Sequence, residues 1–182
     1  MSAPSHAAPD LDGWLTDPVI RTRHRCEAAA APEALWRAAA SVRLDDTRTL
    51  GRLIGWRIPG TPAHETFGEL FERPPFLVLD AGPTHSLSGL CGRIWTLRRD
   101  YASLQEPRAF RDWDEPGTAR VLFAHWVEPT PNGSALISEA RVEAIDGRAR
   151  FALALLWRTM RGFERRIGGE ALALAADRAQ AA

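Results

Sequence analysis

The chain has 182 residues, with 23 Lys and Arg against 23 Asp and Glu for a formal net charge of zero. That length suits one domain with a real core, and a neutral chain without a dense basic run gives no electrostatic case for nucleic acid or an anionic membrane. No apolar run reaches the length of a membrane span, and Cys26 and Cys91, far apart and outside any Cys-x-x-Cys spacing, read more simply as buried free thiols than as a disulfide.

Met1 to Asp10 is rich in Ala, Pro and Ser and lacks the basic and apolar regions of a secretory signal. The expectation is a flexible tail over residues 1–16, a single domain over 17–180 and a cytoplasmic address. From Val19 to Ala28 the residues alternate, with Ile20, Thr22, His24, Cys26 and Ala28 on one face and Arg21, Arg23, Arg25 and Glu27 on the other, so a strand with His24 inward is predicted. Pro32 then suits the first position of a short helix carrying Leu35 and Trp36. Asp45 or Asp46 can cap a second, with Leu50, Leu53 and Ile54 inward. A helical turn over Glu65–Glu72, with Phe67, Leu70 and Phe71 on one side, stops at Pro74-Pro75.

Phe76 to Asp80 and Thr84 to Trp95 read as strands, with Gly89 and Gly92 marking a bulge, a bend or a close backbone approach. A weaker strand follows over residues 97–104, then a connection anchored by Phe110 and Trp113. Ala119–Glu128 and Ser134–Ile145 form a hairpin around Pro129-Thr130-Pro131-Asn132-Gly133. In its second strand Leu136, Ser138, Ala140, Val142 and Ala144 share the inward face, and Glu139, Arg141 and Glu143 are expected in water. In the first, Val121, Phe123, His125 and Val127 point inward, although Leu122 and Trp126 blur the opposite face. After Asp146, a plausible N-cap, Leu153, Leu156, Trp157, Met160, Phe163 and Ile167 recur at helical spacing with Arg158, Arg161, Arg165 and Arg166 as a solvated face. Gly168-Gly169 breaks or kinks this helix before an Ala/Leu-rich tail. Helices and strands are thus segregated, which implies α+β with an antiparallel sheet around the final helix.

Ser138, Ala140 and Ala144 are too small to fill the space under a helix carrying Trp, Met and Phe. Either other large residues fill it, or the sheet and helix enclose a pocket for a small molecule.

Several motifs resemble the SRPBCC superfamily of START-like and polyketide cyclase-like proteins. They are Ala31-Pro32-Glu33-Ala34-Leu35-Trp36, Gly89-Leu90-Cys91-Gly92-Arg93-Ile94-Trp95, Phe110-Arg111-Asp112-Trp113, Pro116-Gly117-Thr118-Ala119-Arg120, Val127-Glu128-Pro129 and Trp157-Arg158-Thr159-Met160-Arg161. The resemblance spans residues 17–178 and implies the helix-grip fold, a curved antiparallel sheet gripping a long C-terminal helix over an apolar cavity. It implies no reaction, because that fold hosts binders, carriers and enzymes alike. His125 departs from relatives, which tend to place an apolar aromatic there, and makes the cavity more polar.

Five histidines are present, none at metal-site spacing, and no metal or cofactor is expected. A nucleotide-binding glycine pattern and a nucleophile elbow are both missing. The candidate cavity residues are His24, Arg93, Trp95, Phe123, His125, Ser138, Ala140, Leu153, Trp157 and Met160. His24 and His125 are either core histidines satisfied by backbone carbonyls or polar groups offered to a ligand. Arg93 either faces an anionic ligand or pairs with an acid such as Asp100. The reading is a binder or carrier of a small apolar or amphipathic molecule. One alternative is a polyketide cyclase or aromatase using His24 or His125 in acid–base catalysis. Another is a structural or regulatory partner protein with a vestigial pocket, which an exposed cluster of Trp14, Trp56 and Trp113 would favour.

Overall fold

The computed structural model describes residues 8–57, 61–96, 98 and 100–181. Five strands run in the order β1-β5-β4-β3-β2, every neighbouring pair antiparallel. They are β1 (Ile20–Ala28), β2 (Leu77–Gly82), β3 (His85–Gly92), β4 (Ala119–Thr130) and β5 (Gly133–Ala144). Short helices α1 (Pro32–Ala40), α2 (Leu50–Arg57) and α3 (Phe67–Phe71) follow β1, and α4 (Pro107–Arg111) precedes the hairpin. The C-terminus is two helices, α5 (Gly147–Ile167) and α6 (Glu170–Ala181), parted at Gly168-Gly169. This is α+β in the helix-grip arrangement.

Local chemistry sets most boundaries. Pro32 stands in the first turn of α1, where its missing N–H is an orphan in any case. Asp146 Oδ1 accepts from Ala149 N at 2.8 Å to cap α5, while its Oδ2 accepts from Gly117 N at 2.8 Å and ties the helix start to the entry of β4. Asp46 bonds back to Arg43 N instead of capping α2. The start of α2 is met from α6: the Glu170 carboxylate accepts from Arg48 N at 2.5 Å and Leu50 N at 3.1 Å. The register irregularity lies in β2, between Val78 and Asp80, and not at Gly89 or Gly92. Gly89 serves the close approach: a Cβ there would lie 2.6 Å from the Phe110 ring.

The sheet buries both faces, which corrects the expectation that Glu139 and Arg141 stand in water. Leu11, Leu15, Leu79, Leu87, Phe110, Leu122, Trp126 and Ile137 form a core on the outer face. Glu139 is 1% and Arg141 5% exposed within it. They survive there because they are paired: Arg141 Nε donates to Glu139 Oε1 at 2.7 Å and its Nη1 to Asp12 Oδ1 and the Leu15 carbonyl. Arg21 holds the same carboxylate at 2.8 Å. Residues 10–15, expected within a tail, are therefore part of the outer layer, with Leu15 fully buried. Residues 1–7 lie outside the described residues, as do the side chains of Trp56, Phe163, Arg165, Arg166 and Ile167.

The strand expected over residues 97–104 is reduced to one bridge, Gly92 with Tyr101, flanked by Arg93 N to Asp100 O and Ala102 N to Cys91 O. Leu97 and Arg99 lie outside the described residues. Gly92 adopts φ +143, leaving β3 at that point, so Arg93 and Trp95 lie beyond the strand. Arg93 pairs with Asp100 at 3.0 Å near the surface, the ion-pair alternative of its two readings. Trp95 packs at the margin of the inner core.

Candidate functional site

The inner face carries two polar rows fixed by register. One runs His24, Ser138, His125 and Ser86 across β1, β5, β4 and β3. The next runs Thr22, Ala140, Phe123 and Ser88. Around them the core closes in two separate clusters. Ile20, Leu44, Leu70, Leu90, Val121, Val142 and Leu153 meet at one end. Ala28, Leu35, Val42, Val127, Leu136, Leu172 and Ala176 meet at the other. Ser138 and Ala140 are partly accessible. Two voids lie under the helices, and neither Ser138 nor Ala140 is among the residues that line them.

The first is a pocket of ≈180 Å³ under α1, α3 and α6. Trp36 of α1, Phe67 and Phe71 of α3 and Leu172 of α6 wall it, and Ser86, His125 and Leu136 form its floor. The Phe71 ring centroid lies 4.9 Å from the His125 ring and 5.2 Å from Phe123, which in turn packs edge-on against Phe76 at 5.6 Å. Phe123 is thus part of an aromatic wall beneath the pocket. His125 Nε2 is sealed from solvent and has no hydrogen-bond partner. Burial pulls the imidazole down to about 4 by penalising its charged form, so it is neutral at pH 7. An unpaired buried polar atom costs about 1–3 kcal/mol.

The second void is a cleft of ≈640 Å³ between β1 and α5, lined among others by Thr22, His24, Trp157 and Glu164. His24 Nε2 lies 2.5 Å from Glu164 Oε1. The ring sits under the α5–α6 junction, where a Cβ at Gly168 would lie 2.1 Å from Nε2. The junction is helical, with Gly168 at φ −63, so it is the imidazole rather than the backbone that needs glycine. Here His24 is held by a helix carboxylate, not by the backbone carbonyl of the bland reading.

The expected site residues therefore separate. His125 belongs to the pocket, and His24 and Trp157 to the cleft. Leu153 is fully buried in the core, and Met160 is half-buried on α5. Among the described residues no three of His, Cys, Asp and Glu converge as a metal would need, and no helix is long and apolar enough to cross a membrane. The thiols are apart: Cys26 is on the inner face of β1 and Cys91 on the outer face of β3, with β5 and β4 between. Burial raises Cys91 to about 12, which leaves it unreactive. Sequence reasoning did not connect Trp36 and Phe71 to the pocket, nor Glu164 to His24. For Glu164 a signal existed, since it stands seven residues after Trp157 on one helix face.

No family model matches the chain, and no curated protein does. Solved structures do. A protein from Mesorhizobium loti is 16% identical over 85% of this chain and 96% of that one, with a TM-score of 0.38. A protein from Nitrosomonas europaea is 9% identical over 89% and 95%, at 0.41. The di-domain ARO/CYC StfQ of the steffimycin biosynthetic pathway is 12% identical, covering 91% of this chain and 52% of that one, at 0.39. At that distance these likenesses carry nothing about activity or ligand.

Proposed function

We propose that the protein binds a small, mainly apolar molecule in the pocket over His125, with the neutral imidazole as its main polar contact. The observation that carries this is His125 at the floor of a void walled by Trp36, Phe67, Phe71 and Leu172, with its Nε2 buried and without a partner. Size decides the class of guest. An apolar cavity of about 150 Å³ accommodates benzene, so ≈180 Å³ suits a single ring or a short branched chain and not a folded polyketone. Burying about 150 Å² of ring at roughly 25 cal/mol per Å² gives about 4 kcal/mol, and one hydrogen bond adds about 1. That corresponds to a Kd on the order of 0.1–1 mM.

The cyclase alternative needs two titratable groups at one bound carbonyl. His24 and His125 are separated by β5, about 10 Å at the usual strand spacing, and open onto different voids. Trp14 and Trp113 are half-buried against the outer core, so no observation favours the partner-protein reading either. The binding reading is tested by thermal shift against phenols and substituted benzenes. His125→Leu should weaken phenol about fivefold while leaving toluene binding nearly intact. Equal loss of both, or stabilisation by neither, would defeat it.

A further inference from the structure

Arginines gather around the larger cleft. Arg21 and Arg23 of β1 and Arg158 and Arg161 of α5 all line it, in a chain whose net charge is zero. The acid in its lining is Glu164, already engaged by His24. Arg21 and Arg23 have a sufficient structural reason to exist. They stand on an edge strand, where charge blocks further pairing, and they reach Glu139 and Glu128 on the outer face. That reason does not extend to Arg158 and Arg161. These two are exposed, three apart on one helix face, and have no carboxylate partner among the described residues. Trp157, half-buried beside them, offers an apolar wall.

The Arg158 and Arg161 guanidinium groups, exposed and without a carboxylate partner among the described residues, raise the potential at the cleft. Either guanidinium can bind a carboxylate or phosphate through two parallel N–H donors. A volume of ≈640 Å³ lies within the range of small-molecule sites. We propose that this cleft is a second binding site, separate from the pocket over His125, for an oxyanion carried on an aromatic or alkyl body. Arg158 and Arg161 hold the anion and Trp157 covers the apolar part.

The test is calorimetric titration of the full chain with 1-naphthoate, decyl phosphate, inorganic phosphate and the neutral 1-naphthalenemethanol, at low and high salt. At least one organic anion should bind at least about tenfold tighter than the neutral compound, and should weaken as salt rises. Which of the two does so tells an aromatic carboxylate from an alkyl phosphate as the guest. Replacing both arginines by alanine (Arg158→Ala with Arg161→Ala) should cost about tenfold or more, and the paired lysine replacement should restore part of it. Both positions are exposed, so the variants should keep the native unfolding midpoint. Equal affinity for the neutral compound, indifference to the arginine changes, or inorganic phosphate binding as tightly as either organic anion would overturn the proposal. Phenol titrated into the same samples reads the pocket over His125, so a silent cleft and a silent pocket are told apart.

Discussion

His24 and His125 stand in one row of the inner face, each paired with Ser138 of the intervening strand, yet their imidazoles open onto different voids. One is tied to a carboxylate on α5 near solvent, while the other packs against the Phe71 ring with its Nε2 unpaired. Two residues of the same type at the same register thus have different chemistry, because different helices cover them.

The enclosed imidazole makes stability depend on pH. His125 is depressed from 6.5 to about 4 by burial. Above pH 6.5 it is neutral in both folded and unfolded chains, and its stabilising contribution is fully present. As pH falls from 6.5 towards 4 only the unfolded chain takes up the proton, so stability drops. The loss is up to about 1.4 kcal/mol per pH unit and about 3 kcal/mol in all. Urea unfolding of native protein and of His125→Phe across this range should show the slope in the first and a flatter profile in the second. Equal slopes would contradict the burial of this group.

The outer ion-pair cluster predicts a contrast between two carboxylates on one arginine. Glu139 is 1% exposed, whereas the Asp12 side chain is 80% exposed. Glu139→Leu leaves Arg141 buried with only Asp12 and the Leu15 carbonyl, which should cost roughly 2–3 kcal/mol. Asp12→Ala should change the global midpoint little, since a solvated partner contributes little. It should instead speed amide exchange at residues 11–15. Similar destabilisation by both would mean that Asp12 anchors the cluster as much as Glu139 does, against this account.

How far the sequence could be read depended on whether one face was enough to explain a pattern. The alternation of β5 correctly placed Leu136, Ser138, Ala140 and Val142 on the inner face, but Ser138 and Ala140 line neither void. It failed for Glu139 and Arg141 because charge was equated with water. The contrary signals were there: Ala135 and Ile137 share their face, Leu122 and Trp126 lie opposite, and Leu11 and Leu15 stand four apart in the leading segment. Missing volume at Ser138 and Ala140 did not locate the voids, which are divided in two and lined by other residues. That division follows from where α1, α3 and α6 land, a tertiary outcome that no local period records.

A long-range cap links the two ends of the chain. Glu170 of α6 accepts from the backbone at Arg48, Thr49 and Leu50. Burial opposes its charge, but these three donors outweigh it and hold its carboxyl below the usual range. Glu170→Ala should cost about 1 kcal/mol, the usual worth of a lost cap. Hydrogen exchange should show faster opening over residues 48–53, with β4 and β5 unaffected. Unchanged exchange in α2 would show that the helix start does not depend on α6.

The pocket itself is read most directly from the His125 imidazole. A long-range proton–nitrogen correlation spectrum follows that ring while phenol is titrated into native protein and into Leu136→Trp, which fills the void. The account predicts a saturable shift of Nε2 in the native protein, with a Kd on the order of 0.1–1 mM, and none in the filled variant. An Nε2 signal that stays fixed up to the solubility of phenol, or that moves equally in both proteins, would contradict it.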